Sequence, residues 1–227
     1  MYVTLSNEFT PATKVPEAQL CSRTPAAQSP RKRQAVGSHL FREGDIANHI
    51  YEITSGVFRL TRVLDNGRRQ VIAFGLPGDI IGFPNGALHH SDCEAIQTAE
   101  VIAHRRHALD DFEGDHETHK RLLNAALREI SAMQDHFMML ARKSALEKVA
   151  SFLITLAERT GRPIGNYTTC ALPMTRSDIA DFLGLTIETV SRTLTRLRKQ
   201  DIIALETSQT VLIKDMDALI SASQAAD

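Results

Sequence analysis

The sequence predicts an α+β chain: an antiparallel β-roll, then one long helix, then two short helices followed by a pair of strands. Three observations predict it. Short strands punctuated by glycine turns run from Gly37 to about Phe112. After Gly114 the apolar pattern changes to a heptad spacing. From Met174 to Ile213 the order is helix, glycine, helix, strand, polar turn, strand.

The 227 residues suffice for one large domain or two small ones. With 43% hydrophobic and 23% charged residues, the composition is that of an ordinary globular protein. No apolar run approaches the ~20 residues of a membrane helix, and the N-terminus lacks a basic-then-apolar export signal. A cytoplasmic location and no membrane contact are therefore expected. Three cysteines, Cys21, Cys93 and Cys170, lie far apart, which excludes a disulfide framework or an all-cysteine zinc site. The net charge is −1, so contact with a polyanion has to come from a local basic patch.

Residues 1–36 read as a flexible N-terminal arm. Thr24-Pro-Ala-Ala-Gln-Ser-Pro-Arg-Lys-Arg33 combines two prolines, small residues and a basic cluster without periodicity. Residues 37–113 form the β-roll. Ile50-Tyr-Glu-Ile-Thr54 ends at Ser55-Gly56, and Val57 to Leu64 is a second strand. Asp65-Asn66-Gly67 is a strong hairpin signal, and Gln70 to Phe74 pairs back before the turn Leu76-Pro77-Gly78-Asp79. Cys93 to Thr98 and Val101 to His104 are expected as one further strand pair.

Residues 114–143 form the dimerisation helix. Leu123, Ala126, Ile130, Met133, Phe137 and Leu140 are spaced 3, 4, 3, 4, 3 among polar neighbours. A narrow stripe of that period suits a two-stranded coiled coil, and hence a homodimer. The alternative is that the stripe packs on its own β-roll. Ser144-Ala-Leu-Glu147 is a capping box that opens residues 144–227, with Arg142-Lys143-Ser144 as a hinge. The helix it starts is lined by Leu146, Val149, Ala150, Leu153 and Leu156 and stops at Gly161-Arg-Pro163.

Within that last section Thr175-Arg-Ser-Asp178 is again a cap followed by an acidic residue, and the short helix it opens has inner residues Ile179, Ala180 and Leu183. Gly184 permits a tight turn, and Thr186 caps a second helix with inner residues Val190, Leu194 and Leu197. Ile202 to Leu205 and Thr210 to Ile213 flank a polar turn, and Asp215 to Ser223 reads as a terminal helix. This is a winged helix-turn-helix. The outward face of its second helix carries Ile187, Glu188, Ser191 and Arg192 near the N-terminal end, the end that enters the major groove of double-stranded DNA in this motif. Arg192 suits guanine O6 and N7, Glu188 suits cytosine N4, Ser191 serves several bases, and Ile187 suits a thymine methyl. Arg196, Arg198 and Lys199 add positive charge. Thr175, Arg176 and Ser177 open the other helix, where free amides and the helix dipole favour a DNA phosphate; Arg196 is assigned to phosphate as well. Alone, the Glu-x-x-Ser-Arg face is equally readable as a solvated helix surface.

The order β-roll, long helix, hinge, winged helix resembles the CRP/FNR family of bacterial regulators over nearly the whole chain. The likeness is sharpest in Met174-Thr-Arg-Ser-Asp-Ile-Ala-Asp-Phe-Leu-Gly-Leu-Thr-Ile-Glu-Thr-Val-Ser-Arg-Thr-Leu194. Asp65-Asn-Gly-Arg-Arg-Gln70 and Leu76-Pro-Gly-Asp-Ile-Ile-Gly-Phe83 look like its FNR and FixK-like branch. The resemblance implies a β-roll of the cyclic-nucleotide-binding, jelly-roll kind and a Glu188, Ser191, Arg192 reading head for TTGA half-sites. It also implies contact with RNA polymerase and activation of microaerobic or anaerobic respiration or nitrogen-fixation genes.

Two departures bear on cofactors. FNR-type members hold an iron–sulfur cluster on four thiolates, whereas only Cys21 lies in the N-terminal arm here. Nucleotide-binding members place an Arg-Ser pair on the phosphate. Here Gly78-Asp79 is followed by Ala87-Leu-His-His-Ser91, with an acidic Asp79 and no cation in view. No cofactor and no cyclic nucleotide are therefore expected. The pairs His89-His90 and His104-x-x-His107 are the tight histidine pairs, read as surface residues rather than a metal site. The three thiols read as inert, with Cys170 closest to the helix-turn-helix. No nucleophile–base motif or phosphate loop points to an enzyme. The competing function is a ligand-gated receptor whose β-roll binds a small molecule.

Overall fold

The computed structural model describes residues 31–84, 86–106 and 116–224. The roll consists of β1 (Arg31–Gln34), β2 (His39–Phe41), β3 (His49–Ser55), β4 (Phe58–Val63), β5 (Arg69–Gly75), β6 (Ile80–Ile81), β7 (Asp92–Ala95) and β8 (Ala99–Arg105). They form two four-stranded sheets, ordered β1-β8-β3-β6 and β2-β7-β4-β5. Alternate strand residues, among them Ile53, Phe58, Leu60, Cys93, Ala95 and Val101, face inward and form the roll's core. Gly56 turns β3 into β4 at φ 79°; a Cβ there would stand 2.5 Å from Ala99 Cβ, so only glycine fits.

Two features differ from the sequence reading. The basic end of the expected arm is strand β1, paired antiparallel with β8 from Arg31↔Ile102 to Gln34↔Ala99. The segments expected as one strand pair, β7 and β8, belong to different sheets: β7 pairs with β2 and β4, β8 with β1 and β3. Adjacent strands joined by a short link look like a hairpin in sequence, yet here the link crosses between sheets.

Helix α1 (His116–Arg142) runs 27 residues and carries two apolar stripes about 100° apart. One, through Leu122, Ala125, Ala132 and Met139, is buried; Leu122 and Ala125 pack with Ile50 and Ile80 of the roll. The other, through Leu123, Ile130, Met133 and Phe137, is exposed, from 47% at Leu123 to 68% at Phe137, with Leu127 and Met138 beside it. Of the expected seam residues, Ala126 is half-buried and Leu140 departs: it packs on the core of its own chain.

Ser144 and Glu147 form the reciprocal cap that opens α2 (Ala145–Thr160), which ends at Gly161. The β9 (Arg162–Ile164) and β10 (Tyr167–Ala171) hairpin follows, then α3 (Arg176–Leu183), α4 (Ile187–Lys199), β11 (Ile203–Thr207), β12 (Thr210–Ile213) and α5 (Met216–Gln224). The wing is larger than a two-stranded reading, because β12 also pairs with β10 in a four-stranded sheet. Lys143, in the expected hinge, is anchored: its Nζ donates to Ser151 Oγ at 2.7 Å and to the Ser223 carbonyl at 3.1 Å.

The roll and the winged helix share one core. Val57, Val71, Phe74 and Leu76 of the roll cluster with Phe152, Leu156, Ile179, Phe182 and Leu183. Asp79 is part of this junction. Its carboxylate is buried and receives Arg159 Nη2 at 2.7 Å and Nη1 at 3.1 Å, plus the Leu76 amide at 2.8 Å. The cation absent from the sequence reading is thus Arg159, 80 positions away, and Asp79 ties the roll to α2.

Candidate nucleic-acid interface

Thr175 caps α3, its side chain accepting from the Asp178 amide while Asp178 accepts from the Thr175 amide. Gly184 ends α3 in the left-handed region, φ 63° and ψ 39°, which turns the chain sharply into α4. Thr186 caps α4 by accepting from the Thr189 amide at 3.1 Å. Val190, Thr193, Leu194 and Leu197 are buried, which fixes the opposite face of α4 outward.

That outward face carries Glu188, Ser191, Arg192, Thr195, Arg196 and Lys199, which line one open, shallow groove. Ile187, in the first turn, is 53% exposed. Arg192 donates to Glu188 across one helical turn at 2.5 Å, and both side chains are largely in solvent. Ser191 Oγ donates to the Ile187 carbonyl at 2.8 Å. The four side chains named for base reading, Ile187, Glu188, Ser191 and Arg192, therefore stand together at the N-terminal half of α4, with Arg196 and Lys199 following.

The α3 group is arranged differently. Thr175 is exposed and Ser177 half-buried. Arg176 is also half-buried, and its Nη1 is covered by protein without a hydrogen-bond partner. Burial lowers its pKa from the ordinary arginine value, so this cation is desolvated and lacks a full set of acceptors. Asp178, read from the sequence as a cap alone, is buried and accepts Arg59 Nη1 of β4 and Arg69 Nη2 of β5. Burial opposes its charge, but the hydrogen bonds from Thr175 and the Arg59 guanidinium outweigh that and hold its carboxyl below the usual range. Nothing in the local sequence signals these partners.

His89 corrects the surface reading of the histidine pairs. It is buried and stacked on Phe41 with ring centres 3.9 Å apart. His104 meets Glu52 at 3.1 Å; His107 lies outside the described residues. Among the described residues no group of three or more His, Cys, Asp or Glu is placed to hold a metal ion, and no helix is long and apolar enough to cross a membrane.

Cys93 and Cys170 are free and buried. Burial pushes the Cys93 thiol well above its ordinary value and the Cys170 thiol up to about 11. Since the thiolate is the reactive form, neither is expected to label in the native protein. A Cys21→Ser variant, which removes the thiol outside the described residues, should take up no maleimide until denatured and then take up two equivalents. Rapid native labelling would contradict the burial of Cys93 or Cys170.

A β-roll joined through one long helix to a winged helix-turn-helix, with the second helix's polar face open, defines a DNA-binding transcription regulator. Comparison with known proteins places it more narrowly. The cyclic nucleotide-binding domain family matches residues 31–115 and the Crp-like helix-turn-helix domain family matches residues 147–222. The chain is 41% identical over 187 residues to the nitrogen fixation regulation protein FixK of Azorhizobium caulinodans, covering 82% of this chain and 75% of that one. It is 39% identical over 186 residues to FixK of Rhizobium meliloti, covering 82% and 83%. The structure of FixK2 from Bradyrhizobium japonicum superposes with a TM-score of 0.78 at 33% identity, covering 87% of this chain and 98% of that one. The chain belongs to the CRP/FNR family of transcription regulators, in its FixK-like branch.

Proposed function

We propose that the protein binds, as a homodimer, palindromic double-stranded DNA with TTGA-type half-sites, needs no small-molecule effector, and recruits RNA polymerase to genes of microaerobic or anaerobic respiration or nitrogen fixation. The observation that carries this reading is the outward face of α4, where Glu188, Ser191 and Arg192 stand together and exposed near its N-terminal end, the end that enters the groove in this motif. The desolvated Arg176 supports a phosphate contact beside it. The exposed stripe from Leu123 to Phe137 supports a partner helix, since large apolar side chains so disposed favour burial. The names of the FixK relatives support the choice of target genes. Independence from an effector is supported by the apolar packing of Ile50, Ile80, Phe83, Leu122 and Ala125 between the roll and α1.

One feature favours a second reading, a ligand-gated receptor. A mostly apolar cavity of about 310 Å³ lies between β5, α1 and the Gly184 turn, lined in part by Leu60, Ile72, Ala73, His90, Met133 and His136. It has the size and character of a small-molecule site.

Selection from random duplex DNA by purified protein, in air and with nothing added, separates the two. The expected product is a palindrome of TTGA half-sites with centres about one helical turn apart. Enrichment that depends on an added small-molecule extract supports the receptor instead. A product without two-fold symmetry overturns the dimeric site.

A further inference from the structure

The first helix of the DNA-binding pair is held from outside its own domain. Arg59 of β4 spans Asp178 and Glu94, at 2.5 Å and 2.6 Å. Arg69 of β5 spans Asp178 and Asp181, at 2.9 Å and 2.7 Å. The next residue, Gln70, donates its amide to the Asp181 carbonyl. One hairpin of the roll thus grips the first and second turns of α3. From another side, His136 of α1 stacks on Phe182 of α3, ring centres 4.3 Å apart, and Phe74 of the roll packs on the same ring at 5.3 Å.

The consequence is geometric. α4 is set by α3 through the Gly184 turn, and α3 is set by the roll and α1. In a two-fold dimer the exposed face of α1 lies along the axis, so these grips fix the distance and angle from that axis to each recognition helix. Two recognition helices that must enter successive major grooves tolerate little error in either.

We propose that the ionic latch of Arg59 and Arg69 on Asp178 and Asp181 selects the half-site spacing that the dimer accepts. Arg69 and Asp181 are positioning residues that touch no base. The proposal rests on the reading of the protein as a dimer on palindromic DNA, and goes beyond it by assigning spacing selectivity to residues outside the recognition helix.

The test uses full-length protein and duplexes with two TTGA half-sites at a series of spacings, one and two base pairs either side of the preferred one, together with a single-half-site duplex. Wild type is expected to bind the preferred spacing at least about tenfold tighter than its neighbours, since bending or twisting DNA to compensate is costly. Arg69→Ala and Asp181→Ala should each compress that preference to about threefold or less. Binding of the single half-site, and the dimer mass in sedimentation, should stay unchanged, which also shows that the variants fold. The double variant should be no worse than Arg69→Ala, because the Arg69–Asp181 contact that Asp181→Ala removes is already gone there. An unchanged spacing profile in Arg69→Ala, or effects that multiply in the double variant, overturns the latch. Failure of wild type to bind any spacing instead overturns the underlying DNA reading, so the two failures are distinct.

Discussion

Replacing Ile130 with glutamate is expected to leave a folded monomer that no longer binds palindromic DNA. Ile130 is 54% exposed at the middle of the free stripe on α1, one turn from Met133 and two from Phe137. Burying an isoleucine contributes about 1.5–3 kcal/mol, and a two-fold interface holds two of them. Ile130 is already about half covered in one protomer, so the loss from burial is about 1.5–3 kcal/mol, roughly 10- to 150-fold in the dimer dissociation constant. Two facing carboxylates add repulsion in an apolar seam. The β-roll should survive, because α1 holds it through the other stripe, Leu122 and Ala125. Sedimentation of both proteins at micromolar concentration decides the matter. A monomeric wild type, or a dimeric Ile130→Glu variant, would remove α1 as the interface.

Arg192→Ala is expected to cost about 1–3 kcal/mol on the selected site, roughly 5- to 150-fold in affinity, and to relax the choice of guanine. Little is subtracted for the ion pair with Glu188 that DNA must break. Both groups are largely solvated, and exposed pairs at this spacing are worth only about 0.3–0.5 kcal/mol. Arg176→Ala is the control. It should weaken selected and random DNA alike and lower the salt slope by about one, as a phosphate contact does. Equal weakening on both DNAs by Arg192→Ala would show that it contacts backbone and reads no base.

What could be read from residues alone was local. Caps at Ser144, Thr175 and Thr186, the turn at Gly184 and the Asp65-Asn66-Gly67 hairpin each rest on groups no more than a few positions apart, so sequence spacing states their geometry directly. The exposed polar face of α4 followed from its helical period in the same way.

Long-range pairing was a different matter. Asp178 looked like a helix-capping acid, and it is one; but its arginine partners sit 109 and 119 residues earlier. Asp79 looked like an unpaired acid until the fold brought Arg159 to it. α1 showed its conspicuous stripe of large side chains, while the second stripe was masked by two alanines whose burial only the fold reveals. The sequence by itself determined the helices and most strands, their caps and the outward face of α4, because short-range hydrogen bonds and side-chain periodicity are properties of neighbouring residues. The tertiary structure alone decided which strands pair, which stripe of α1 is left free and how the recognition helix is held, because those depend on charges and apolar surfaces that meet only once the chain has folded.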